Sequence, residues 1–381
     1  MNSICRSILC GVFIVTGVSC SNYTSTNKNL DWEQVKKDAR VTVHVDEFVT
    51  PYMVPVSSLA WEDGIYITRD GMDLYCIYCP ADVMSFNLAG SPQEDALLYL
   101  RGPFLSMDMH ANQIGYEWWI HGDIYRSHRN SLSEDFTQWQ AVAMHDPIFN
   151  EGAPQGIINN NGFSYFVYIH NRISDPYDDN IWMQKDVSRN LNSSGMELPD
   201  SINSEYAEDN PHVELIDANQ LLLLFERAGH PDNVSQRDIW FSVGTDDGTN
   251  WSNPVNFYCI NTFGSIDYEH IQPHLYYNQS QSCWYLYFVT QHTNGRLAIF
   301  RSKKIKNPSN LNDYSDWNNN TNPYWEVPKP VISTGDNPYI IGVGEPTLTQ
   351  EGNLYFVVIY ENPDGSEYNR YDADPWCAIK K

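Results

Sequence analysis

The chain has 381 residues and a net charge of −25, with 48 Asp and Glu against 23 Lys and Arg. That balance argues against nucleic acid, whose phosphates demand cationic side chains, and against an anionic membrane surface as a direct partner. The length suffices for one well-buried core or two domains, and 25 Tyr, 12 Trp and 15 Phe without any sustained helical period suit an all-β protein.

The N-terminus, MNSICRSILCGVFIVTGVSCSN, combines one basic residue, an apolar run too short to span a bilayer and a small-residue end. It reads as a secretory signal. Gly17-Val18-Ser19-Cys20 resembles a bacterial lipoprotein cleavage box, though without the usual Leu at its first position. The resemblance implies a signal over residues 1–20, lipidation at Cys20, a linker over 21–38 and an anchored protein of the cell envelope. Ordinary secretion is the alternative. Residues 31–37 suit a turn or two of helix, and 39–45, ARVTVHV, suit a strand.

Residues 61–67 and 73–78, joined by the Asp70-Gly71 turn, open the first of a series of repeats. A polar insertion with scattered aromatics follows at 80–115, then Tyr116, Trp118 and Trp119. Long connections of this kind are usually functional or disordered, and stacking of sugars over a pocket is one use for these rings. Asp123-Ile124-Tyr125 then begins a strand that recurs as Asn180-Ile181-Trp182, Asp238-Ile239-Trp240, Ala298-Ile299-Phe300 and Asp374-Pro375-Trp376. The aromatics step by 57, 58, 60 and 76 residues. Before the last four stand Pro154, Pro211, Pro273 and Pro346, each followed by a turn and a second apolar strand at 163–170, 221–226, 284–289 or 354–360. Fourth strands start at Trp139, near Met196, at Trp251 and at Trp325.

A four-stranded unit of this length is a propeller blade. The sequence therefore predicts a β-propeller over 39–381 with five four-stranded blades, or six if the insertion hides strands. The last blade lacks an outer strand, and residues 39–45 are the expected donor. Cys76, Cys79, Cys259, Cys283 and Cys377 are odd in number, so a full disulfide framework is not expected. Cys76 and Cys79 point to opposite faces of a strand, which suits buried apolar packing better than zinc or redox chemistry.

Trp61-Glu62-Asp63-Gly64 with Ile67-Thr68-Arg69-Asp70-Gly71 resembles the start of TolB-type, WD-like propeller repeats. So do Asp238-Ile239-Trp240-Phe241-Ser242, Gln272-Pro273-His274 and Gly344-Glu345-Pro346. Gly244-Thr245-Asp246-Asp247-Gly248-Thr249-Asn250-Trp251 is similar to the aspartate box of sialidases at Asp246, Gly248 and Trp251. That box is a structural hairpin, and the arginine cluster of a sialidase is not found. The turn at Ser133–Trp139 is similar to turns in five-bladed glycoside hydrolases.

Inner strands of a propeller line its channel, and strand side chains alternate. Odd offsets from the prolines collect Glu151 and Gln155; Glu208, Asn210 and His212; His270, Gln272 and His274; and Glu345 and Thr347, with Asp63 at the matching place in the first blade. Glu269 falls on the other face. Two functions follow. In the first, motivated by the repeat, the signal and the absence of a recognised catalytic motif, an extracytoplasmic lipid-anchored module binds a polysaccharide or an envelope protein. In the alternative, Asp63, Glu151, Glu208, Glu269 and Glu345 supply the acid and base of a carbohydrate-active enzyme, with Gln155, His212, His270, Gln272 and His274 binding the ligand. Those histidines would serve a metal only in a lyase-type reaction. No cofactor is specified by the sequence.

Overall fold

The computed structural model describes residues 32–85, 109–110, 119–120, 122–144, 149–172, 179–193, 195–217, 220–228, 236–245, 247–265, 267–306, 317–318, 323–363 and 369–381. Cys20, the expected signal, most of the insertion, Tyr116, Trp118 and Asp246 lie outside them. Five four-stranded antiparallel blades follow one another around an axis. Their inner strands are Trp61–Ile67, Phe149–Asn159, Glu208–Asp217, Ile271–Asn278 and Ile340–Leu348. The recurring aromatic motif begins or lies within the third strand each time, at Asp123–His128, Asn180–Val187, Asp238–Thr245, Leu297–Lys303 and Tyr371–Ala378. Between Cys79 and Asp123 the only strands among the described residues, Met109–His110 in the insertion and Trp119–Ile120 after it, pair with each other.

Ring closure differs in detail from the expectation. Tyr52–Met53, not the 39–45 stretch, pairs with Cys377 and Trp376 as the outer strand of blade five. Thr42–Val43 instead adds a fifth strand to blade four, opposite Ser333 and Ile332. The N-terminal segment thus binds two successive blades. Ahead of it, the helix Trp32–Asp38 sets Lys36 in a buried acidic notch of blade five. Lys36 Nζ lies 2.6 Å from Asp372 and 2.9 Å from Asp374, and donates to the Ser58 carbonyl. The like charges of Asp372 and Asp374 repel each other, and that cation offsets the repulsion.

Apolar side chains fill the spaces between blades in three clusters. Cys76, Cys79 and Cys377 are buried, and no disulfide forms among the described residues. The hairpin at Thr245 behaves as a structural turn: Trp251 Nε1 donates to Gly248 O at 2.9 Å, and Asp247, the residue after the expected box aspartate, accepts from Thr249 N at 3.0 Å.

Candidate active site

Pairing between inner and second strands skips two residues in every blade: Gly64-Ile65, Ala153-Pro154, Asn210-Pro211, Gln272-Pro273 and Glu345-Pro346. The first residue of each pair is left-handed, with φ of 52°, 45°, 45°, 55° and 54° in that order. For the four that carry a Cβ this costs about 1–2 kcal/mol apiece, and proline further disfavours helical backbone before it. Gly64 escapes that cost, and a Cβ there would meet Ile77 at 2.9 Å. These ten residues and Gln155 line a narrow axial opening. Strained backbone repeated around one opening points to a functional centre.

The bulge breaks the simple alternation expected from the sequence. Glu208, three before Pro211, is a structural group: it accepts from Ser204 N at 3.0 Å and Ser204 Oγ at 2.6 Å and pairs with Arg227 at 2.7 Å. Glu62 is held in the same way by Ser58 in blade one. The residue after each, Asp63 or Asp209, two before Ile65 or Pro211, joins the axial acids. Blades two, four and five carry Gly152, Ile271 and Gly344 there. Opposite these five places on the second strands stand Ile77, Ile169, Glu226, Val289 and Val357. Sequence reading missed Asp209 and Glu226. The signal available was a glutamate where four other blades have a branched aliphatic residue.

Asp63 is buried, accepts a 3.3 Å bond from Trp61 Nε1, and its Oδ1 has no partner among the described residues. Burial pushes its carboxyl up to about 7, with the Asp209 charge adding to the effect. Glu345 and Gln272 exchange two bonds: Gln272 Nε2 donates to Glu345 Oε1 at 2.6 Å, and Glu345 N donates to Gln272 Oε1 at 3.0 Å. Burial, then the charges of Asp63, Glu226 and Asp209, hold Glu345 well above the usual carboxylate range. Burial and Asp209 push Glu226 up to about 8 and Asp179 up to about 7, against the pull of Arg237. Arg237 donates to Asp209 Oδ2 at 2.8 Å and lies 3.4 Å from Glu226 Oε2. Glu269 is half-buried just before inner strand four; burial pushes it up to about 6 and Arg237 opposes that.

The other expected site residues are distributed differently. Glu151 sits 3.5 Å from His170 Nε2, whose ring stacks on Phe149 at 4.0 Å. His212 and His274 meet inside the channel with ring centroids 4.5 Å apart, and His274 Nε2 accepts from Leu348 N at 3.2 Å. Burial lowers both well below the usual imidazole range, so they are neutral packing groups at neutral pH. His270 Nε2 donates to Phe263 O at 2.9 Å, and burial lowers it to about 4. The three histidines therefore do not form one ligand set, and among the described residues no group of three His, Cys, Asp or Glu is placed to hold a metal ion. Beyond His212 and His274, Arg69 reaches from the first hairpin to Glu214 at 2.8 Å and Leu275 O at 2.7 Å, tying blades one, three and four together.

No protein-family model matches the sequence, and no curated protein does. Solved structures do match its fold. A glycoside hydrolase aligns with a TM-score of 0.52 at 9% identity, covering 91% of this chain and 94% of its own. The endo-arabinase of Bacteroides thetaiotaomicron aligns with a TM-score of 0.46 at 14% identity, over 85% of this chain and 96% of its own. The α-L-arabinofuranosidase of Podospora anserina, in complex with cellotriose, aligns with a TM-score of 0.45 at 9% identity, over 85% and 92%. The match with the TM-score of 0.52 is a glycoside hydrolase and not a TolB-type repeat, which corrects the family expected from the sequence. The same match tells against the non-enzymatic binding module as the leading function, and the enzymatic alternative takes its place as the reading to be tested. The repeated motifs behind both readings are blade scaffold, shared by propellers of any function.

Proposed function

We propose that the protein is a glycoside hydrolase acting on a neutral oligo- or polysaccharide at the axial opening. The observation that carries this reading is a cluster of buried carboxyl groups in contrasting surroundings, with Glu345 lining the opening and Asp63 and Asp209 next in the chain to lining residues Gly64 and Asn210. Hydrolysis of a glycosidic bond needs one carboxylic acid to protonate the leaving oxygen and a second carboxylate as base or nucleophile. Asp63, at about 7, and Glu345, held above the usual range, retain a proton near neutral pH and supply the acid. Asp209, fixed by Arg237, supplies the carboxylate. Arg237 is already occupied by two acids, so a substrate carboxylate or sulfate would meet only like charge there. The insertion leaves the first blade after Cys79 and returns at Asp123, beside Trp61 and Glu62 at this same end, which suits a role for it in substrate binding.

The test is turnover of a panel of neutral glycans by the wild type and by Asp209→Asn and Glu345→Gln. Both variants should fold and lose at least a thousandfold in kcat. A folded Asp209→Asn that keeps its turnover would remove Asp209 from the chemistry, and no turnover on any glycan would sink the hydrolase reading. We also propose tethering through Cys20, which a lipid-modified N-terminal peptide in mass spectra of the mature protein would support and an unmodified one refute.

A further inference from the structure

Glu226 stands out because of what it replaces. At its register place the other second strands carry Ile77, Ile169, Val289 and Val357, each filling the gap between inner strand and blade core. Glu226 is fully buried, a costly place for a carboxyl unless its oxygens are bonded. They are. Oε1 accepts from Asn210 Nδ2 at 2.7 Å and from Gln272 N at 2.7 Å, while Oε2 lies 3.4 Å from Arg237 NH1. Asn210 and Gln272 are the left-handed residues of blades three and four. One carboxyl group thus grips the strained corners of two neighbouring blades and the guanidinium that holds Asp209. Through the Gln272 side chain the same chain of bonds reaches Glu345 in blade five.

We propose that Glu226 is a positioning residue, which clamps the bulges of blades three and four and thereby sets Asp209 and Glu345 in register across the opening. The catalytic part of this inference rests on the hydrolase reading; the clamp does not. A single oxygen accepting from both bulges couples them, so that neither can relax to ordinary β backbone alone. Valine, the residue of blades four and five, fits the strand but releases both.

The experiment compares Glu226→Val, Glu226→Gln and Asn210→Gly by hydrogen exchange of the peptide containing the Gln272 amide and by steady-state kinetics on whichever neutral glycan the wild type cleaves. Glu226→Val should speed exchange at Gln272 at least tenfold and lower kcat at least a hundredfold, with KM within threefold. Glutamine keeps an acceptor oxygen for both donors and should restore kcat to within about tenfold of wild type. Asn210→Gly tolerates the left-handed φ and removes one donor only, so it gives an intermediate loss and keeps the test decisive if the valine variant does not fold. Unchanged exchange at Gln272 in Glu226→Val, or in Asn210→Gly if the valine variant does not fold, would overturn the clamp, and a KM defect without a kcat defect would overturn the positioning role. If the wild type cleaves nothing, the hydrolase reading fails and the exchange result alone decides the clamp.

Discussion

Replacing Asp63 by Asn should make the protein more stable at alkaline pH while abolishing its turnover. Asp63 is almost wholly enclosed, takes one long bond from Trp61 and has an oxygen with no partner among the described residues. Its proton affinity rises from the ordinary 3.8 to about 7 on folding. The folded state therefore binds this proton more tightly than the unfolded chain. The stability linked to it is fully present below pH 3.8, declines as the pH climbs, and is gone above about 7. At about 1.36 kcal/mol for each tenfold change in proton affinity, the loss at pH 8 amounts to about 4 kcal/mol. Asn keeps the shape and the Trp61 bond without an ionisable group, so it removes that loss. For a chain of this size the gain corresponds to roughly 5 °C in Tm at pH 8 and to almost none near pH 4. Thermal unfolding followed by circular dichroism at both pH values measures it, with kcat on the same samples expected to fall about a thousandfold. A variant no more stable than wild type at pH 8, or one that still turns over, would refute the reasoning. The combination of higher stability and lost activity is the signature of a group kept for chemistry.

Three further outcomes follow from the same geometry. Lys36→Met leaves Asp372 and Asp374 buried without their cation and should cost about 3–5 kcal/mol in urea unfolding; a midpoint equal to wild type would show that the helix Trp32–Asp38 does not close the ring. Glu208→Gln disturbs only Ser204 and Arg227, so kcat should stay within threefold while stability falls by about 1–3 kcal/mol; a large kcat loss would return Glu208 to the chemistry. Arg69→Met breaks the bar to Glu214 and Leu275 O and should lower Tm by a few degrees, with KM unchanged because the site lies at the other end of the channel; a raised KM would show that substrate reaches Arg69.

The blades were legible because their signals are local. Asp238-Ile239-Trp240 and its four relatives mark a strand through residue type and spacing, and Pro211 or Pro346 marks an inner strand that cannot donate at that point. Which N-terminal stretch closes the ring was not legible: residues 39–45 and Tyr52–Met53 are both extended and short, and only the distance around the ring assigns the first to blade four and the second to blade five. The site was half legible. Gln272 and Glu345 were read from their places beside the prolines, and Asp63 was named although its offset from Ile65 is that of Asp209 and not the odd one expected; in blade three alternation selected Glu208 over Asp209. Alternation fails there because Asn210 is left-handed, and nothing in the dipeptide Asn210-Pro211 announces a conformation that proline itself disfavours. Composition and repeat therefore determined a propeller with an acidic channel. The tertiary structure decided which acids meet, because five bulges and the buried Glu226 clamp turn side chains by contacts between strands that are distant in sequence.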